Sequence, residues 1–139
     1  MINTNVIGVI GLGNAGSPIL KNLYNSNKYK LVAFDIDKNK LNNVPDNVLK
    51  ARSIKDIAEK CNAVITCLPK PEHVLKVVDG TDGLLNNASP GMVWIDTSTT
   101  DFKQTQKLAI KAKENNVLML EATLTGGVHA LQNNNMVCL

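Results

Sequence analysis

The chain has 139 residues, 44% of them hydrophobic, and a formal net charge of +3, which suits one packed domain and is short for two. Its Lys and Arg are scattered rather than interleaved with aromatics, so nucleic acid is not an expected partner. No apolar run approaches a membrane span, so no membrane is expected either. The opening Met1-Ile2-Asn3-Thr4-Asn5 runs straight into an apolar stretch, so no signal or transit peptide is expected in this stretch. Cys61, Cys67 and Cys138 are odd in number and lack CxxC or metal-ligand spacing. They read as small core residues of a reducing compartment, cytoplasm or mitochondrial matrix, with no metal site expected.

The first predicted strand, residues 6–10, breaks into Gly-x-Gly-x-x-Gly at Gly11, Gly13 and Gly16. Gly11 allows a sharp turn off the strand. Gly13 lets backbone approach a pyrophosphate, and Gly16 allows tight packing of helix on sheet. A helix is predicted over 16–24, with Pro18 in its first turn, where a missing N–H is harmless. Its N-terminus offers N–H groups and partial positive charge to phosphates. The second strand, 31–34, ends in Asp35, nineteen residues after Gly16. Strand, glycine turn, helix, strand and acid form a dinucleotide-binding fingerprint, with Leu12, Asn14 and Ala15 in the cofactor loop. A carboxylate here accepts ribose hydroxyls and repels a 2′-phosphate, so NAD is favoured over NADP. Lys38 and Lys40 read as a solvated turn.

Further along, a short helix over 38–44 stops at Pro45, and a strand covers 48–51. Ser53 caps a helix over 54–60. Strands are predicted at 63–68, 92–96 and 117–121, and helices at 71–78 and 102–115. The Asn clusters at 42–43, 86–87 and 133–135 read as turns, and 136–139 begins a further strand. Several of the strands are nearly continuous in Val, Ile and Leu, as strands buried on both faces are. The alternation predicts an α/β fold: a Rossmann-type doubly wound, mainly parallel sheet.

Three later motifs are Thr66-Cys67-Leu68-Pro69, Asp96-Thr97-Ser98-Thr99-Thr100 and Glu121-Ala122-Thr123-Leu124-Thr125-Gly126-Gly127-Val128. Each alone admits a plain reading. Pro69 stops a strand, residues 97–100 suit an N-cap cluster, Asp96 suits a turn, His73 suits a solvated face and Gly126-Gly127 a flexible turn. In an open parallel sheet, however, loops at successive strand ends face one crevice.

With the glycine turn, these motifs resemble the β-hydroxyacid dehydrogenase family over residues 6–139. The resemblance implies that Leu68 and Pro69 line the path from adenine ribose to nicotinamide. It places His73 near the cofactor and Thr99 beside the nicotinamide. It assigns Thr125, Gly126 and Gly127 to a substrate carboxylate. It implies NAD as cofactor, a small hydroxy acid as substrate, and a homo-oligomer when full-length. The chain departs from the family at Ala15, usually Met, at Thr123, usually Pro, at Thr125, usually Ser, and over 128–135, usually Gly-rich. The family's catalytic Lys lies in an all-helical second domain. No residue here matches it, so residues 1–139 are expected to be the dinucleotide-binding domain alone, with no catalytic residue. Two other readings are a stand-alone NAD(H)-binding sensor or interaction module without turnover, and a reductase relative acting on imines or semialdehydes.

Overall fold

Aliphatic Val6–Ile10 forms strand β1 in the middle of a six-stranded sheet. The structure, a computed structural model, describes residues 5–133 and 137–138. After β1 come α1 (Gly16–Ser26), β2 (Lys30–Phe34), a 3₁₀ turn (Lys38–Asn43), β3 (Leu49–Lys50), α2 (Ile54–Lys60) and β4 (Ala63–Thr66). Then follow α3 (Pro71–Asp79), α4 (Leu84–Asn87), β5 (Val93–Asp96), α5 (Phe102–Glu114) and β6 (Leu118–Glu121). The last elements are β7 (Leu124–Thr125), α6 (Gly127–Gln132) and β8 (Val137–Cys138).

Strands β1 to β6 are all parallel, in the order β3-β2-β1-β4-β5-β6. The winding reverses between β1 and β4, which is the Rossmann-type doubly wound arrangement expected. Alternate strand residues feed two cores. Ile7, Val9, Leu31, Ala33 and Ala63 meet Leu20 of α1. Val32, Val64 and Trp94 meet Ile57, Val74 and Leu108 of the helices on the other face.

Several element ends differ from expectation. Strand β4 stops at Thr66 rather than at 68. Cys67 N still donates to Ile10 O (2.9 Å), but Leu68 N turns away to Ser98 Oγ (2.9 Å), one residue before Pro69, which has no N–H for a ladder. Strand β3 keeps only Leu49–Lys50. The helix expected over 38–44 is a 3₁₀ turn started by Asp37, whose side chain accepts from Asn39 N. Helix α1 runs to Ser26 and closes on Asn27 in the left-handed region (φ 53°). Asn86 and Asn87, read as a turn, end the short α4 instead, and their side-chain amides donate to Gly80 O and Gly83 O. Beyond β6 the chain makes an antiparallel β7–β8 pair with α6 between them. The strand expected over 136–139 and the turn over 133–135 lie partly outside the described residues; the described part, Val137–Cys138, is extended. Among the described residues no helix is long and apolar enough to cross a membrane.

Candidate functional site

Strand register sets the location of the site. Phe34, Ile10, Thr66, Asp96 and Glu121 form one row across five neighbouring strands. Each is the last residue of its strand, so Asp35, Gly11, Cys67, Thr97 and Ala122 all leave the sheet along the same edge. This edge spans the switch point between β1 and β4, where open α/β sheets bind ligands.

The glycine turn is held at several points. Gly11 N donates to Phe34 O (3.0 Å), Ser17 Oγ donates to Leu12 O (2.8 Å), and Leu12 N donates to Asp35 Oδ2 (2.7 Å). The three glycines divide by what a side chain would meet. Gly11 has φ +95°, and a Cβ there would lie 2.2 Å from Cys67 O. At Gly16 a Cβ would lie 1.7 Å from Gly11 O. The close approach that makes Gly16 necessary is therefore to the turn's own carbonyl, rather than to the sheet as expected. A Cβ on Gly13 would meet nothing within 4 Å. Gly13 thus faces open space beside the N-terminus of α1. Ala15 caps that helix with no side-chain hydrogen bond; Ser17 N donates to Gly13 O (3.1 Å) and Pro18 has no N–H, so the amides facing a ligand are those of the turn leading into the helix, residues 13–16. An open backbone cradle at a helix N-terminus fits a pyrophosphate.

Asp35 is buried at the end of β2. Its Oδ2 accepts from Leu12 N and its Oδ1 from Asp37 N (2.8 Å). A carboxylate oxygen has about two lone-pair positions, so each still has capacity for a ribose hydroxyl. Lys40, read as part of a solvated turn, lies 3.8 Å from Asp35 Oδ2 while remaining 44% exposed.

The other expected residues follow the ends of β4, β5 and β6 in the chain. Leu68 is half-buried against the glycine turn, its Cδ2 3.2 Å from where a Gly11 Cβ would be. Pro69 is exposed, and His73 is exposed in the first turn of α3. Thr99 is exposed, whereas Thr97 and Ser98 are buried. Residues 97–100 do not cap α5; Asp101 does, accepting from Lys103 N. Thr125 is half-buried in β7, and Gly126 and Gly127 follow in the left-handed region (φ 101° and 73°). Asn22 Nδ2 donates to Leu131 O (3.3 Å), which holds α6 to α1.

Burial pushes the Cys61 thiol up to about 12 and raises Cys67 as well, although a hydrogen bond with Thr97 opposes the latter shift. Both shifts favour the protonated, less reactive thiol at neutral pH. Among the described residues no group of three or more His, Cys, Asp or Glu is placed to hold a metal. A cavity of about 550 Å³ opens at the opposite end of the strands, beside Val6, Tyr24, Tyr29 and Lys30, and contains none of the motif residues. Sequence reasoning missed the buried group of Thr66, Trp94 and Ser98 around Asp96. Its signal was a polar residue ending each of two apolar strands.

The family model described as the NAD binding domain of 6-phosphogluconate dehydrogenase matches residues 6–139. The chain is 31% identical over 137 residues to mitochondrial 3-hydroxyisobutyrate dehydrogenase of Rattus norvegicus, covering 98% of this chain and 41% of the relative. It is 33% identical over 122 residues to the NAD-dependent L-serine dehydrogenase of Pseudomonas aeruginosa, covering 87% of this chain and 41% of the relative. The 3-hydroxyisobutyrate dehydrogenase of Mycobacterium tuberculosis, solved with L-serine, superposes with a TM-score of 0.87 at 26% identity, covering 98% of this chain and 46% of that one. The chain thus spans about two fifths of the length of the curated relatives it matches. An imine reductase of Myxococcus stipitatus (TM-score 0.81, 13% identity, 90% of this chain and 43% of that one) shares the fold alone. The glycine cradle, Asp35, the β3-β2-β1-β4-β5-β6 sheet and these matches agree: the chain belongs to the family of the NAD binding domain of 6-phosphogluconate dehydrogenase and is an NAD-binding domain of the β-hydroxyacid dehydrogenase type.

Proposed function

We propose that this chain is the cofactor-binding half of an enzyme that moves hydride between NAD and the β-hydroxyl carbon of a small hydroxy acid. The observation that carries it is the open Gly13 cradle on the edge that also bears Asp35, Leu68, Thr99 and the Thr125 segment. NAD supplies the hydride acceptor. The chain's residues do the rest of the binding. Amides of residues 13–16, at the entry to α1, take the pyrophosphate, and Asp35 takes the adenine ribose hydroxyls. Leu68 and Pro69 wall the path to the nicotinamide, with His73 beside it, and Thr99 borders the nicotinamide end. The Thr125 hydroxyl with the Gly126 and Gly127 amides takes the substrate carboxylate, as oriented donors do. The relatives' names point to 3-hydroxyisobutyrate and L-serine. Both molecules carry a carboxylate and a β-hydroxyl, which is the pattern this arrangement fits.

Oxidation also releases the hydroxyl proton. No crevice residue here matches the family's Lys, so we assign proton transfer to a helical domain of the full-length protein, which also supplies the homo-oligomer contacts. The compartment we assign is the cytoplasm or mitochondrial matrix; relatives named as mitochondrial support the second. Calorimetric titration of the 139-residue chain with NAD and NADP, and an NADH-formation assay with 3-hydroxyisobutyrate and L-serine, test the reading. NAD binding, tighter than NADP, with negligible turnover is expected. Absence of NAD binding overturns the cofactor reading. Turnover near one per second or faster, an ordinary enzyme rate, overturns the assignment of proton transfer to another domain.

A further inference from the structure

A buried carboxylate lies where three crevice loops meet. Asp96 ends β5 at 1% exposure. Its Oδ1 accepts from Thr66 Oγ1 (2.9 Å) and from the Ser98 amide (3.1 Å). Trp94 Nε1 in turn donates to Thr66 Oγ1 (2.9 Å). An indole N–H can only donate and a hydroxyl has a single proton. Thr66 must therefore accept from Trp94 and send its own proton to Asp96, which fixes the chain of donors in one direction. Ser98, itself buried, accepts from Leu68 N through its Oγ (2.9 Å). The main-chain carbonyl of Asp96 accepts from Ala122 N (2.8 Å). Asp96 thus bonds the end of β4, its own loop and the start of the loop after β6, and Ser98, which it holds, bonds the loop after β4.

A plain strand end does not require a charge here, and burying one is costly unless it is well hydrogen-bonded. A carboxylate holds several donors at once and more tightly than a neutral acceptor. We propose that Asp96 is a positioning residue of the crevice: through Ser98 it locks the Leu68-Pro69 loop to the Thr99 loop, so that the wall facing the dinucleotide is formed before the ligand arrives. The inference rests on the crevice reading above. The pre-formed wall spares the ordering cost that binding otherwise carries.

Ser98→Ala removes only the acceptor of Leu68 N. It is expected to speed hydrogen exchange at the Leu68 amide and to weaken NADH binding about fivefold or more, the factor for one ordinary hydrogen bond. Trp94, the only tryptophan in the chain, should keep its emission maximum in this variant, and the thermal midpoint should fall by no more than the roughly 3–6 °C that about 1 kcal/mol costs a chain of this length. Asp96→Asn, which retains an acceptor oxygen, should bind NADH better than Asp96→Ala. Parent-like NADH affinity together with parent-like Leu68 exchange in Ser98→Ala overturns the proposal. If the parent binds no dinucleotide, the crevice reading fails. Leu68 exchange then still decides the anchoring: acceleration in Ser98→Ala supports it, and no change overturns it.

Discussion

The three motif glycines should separate cleanly by experiment. At Gly11 an alanine faces a positive φ of +95° and a Cβ 2.2 Å from the Cys67 carbonyl. The backbone conformation alone costs about 1–3 kcal/mol, and relieving the clash adds about 1–3 kcal/mol of overpacking. Gly16→Ala carries the second cost, because its Cβ would meet Gly11 O at 1.7 Å. For a chain of this length each kcal/mol lowers the melting temperature by roughly 3–6 °C, so both variants should melt about 5 °C or more below the parent. Gly13 differs: a Cβ there meets nothing within 4 Å. Gly13→Ala should leave the melting temperature unchanged or slightly raised, because it restricts the unfolded chain. Gly13→Val should fold and lose NAD affinity at least tenfold, or about 1.4 kcal/mol, because its side chain occupies the pyrophosphate's place. Circular-dichroism melts and NADH fluorescence titrations of all four variants decide the matter. A Gly13→Val chain that binds like the parent, or that melts as early as Gly11→Ala, refutes the division of the motif into two packing glycines and one ligand-facing glycine.

Asp35→Ala removes the acceptor for Leu12 N and Asp37 N, bonds to a charged group worth a net contribution of about 1.5–3 kcal/mol each. It should lower the melting temperature and narrow the preference for NAD over NADP, and an unchanged affinity ratio by calorimetry counts against Asp35 as the ribose ligand. The Cys61 thiol stays protonated to about 12 in the folded chain against 9.0 for an ordinary thiol. The folded state therefore binds more protons between those values, and stability falls as pH rises from 9 toward 12; Cys61→Ala should flatten that slope in urea melts, and parallel curves refute it. Leu118 and Leu120 are 52% and 54% exposed on one face of the edge strand β6. Such an edge invites association, so Leu118→Ser with Leu120→Ser should reduce self-association in light scattering, and a parent that stays monomeric at high concentration argues otherwise.

Local sequence determined the first half of the site. The β1 strand, the glycine turn, α1, β2 and Asp35 lie within thirty residues, and their signals are periodicity, glycine spacing and one acid, none of which needs a distant partner. The alternation of strands and helices likewise made a parallel doubly wound sheet legible, because apolar runs buried on both faces leave few other arrangements. Tertiary structure decided the rest. Strand β4 ends at Thr66 because Leu68 N meets Ser98 Oγ from another loop. Gly16 is required by the carbonyl of Gly11, a contact that exists only once the turn has closed. Asp96 reads in sequence like any turn acid. Its role appears only when β4 and β5 pair in register and bring Thr66 and Trp94 onto it. Hydrogen bonds between residues thirty apart leave no periodic trace in a chain, whereas a turn and the strand beside it do.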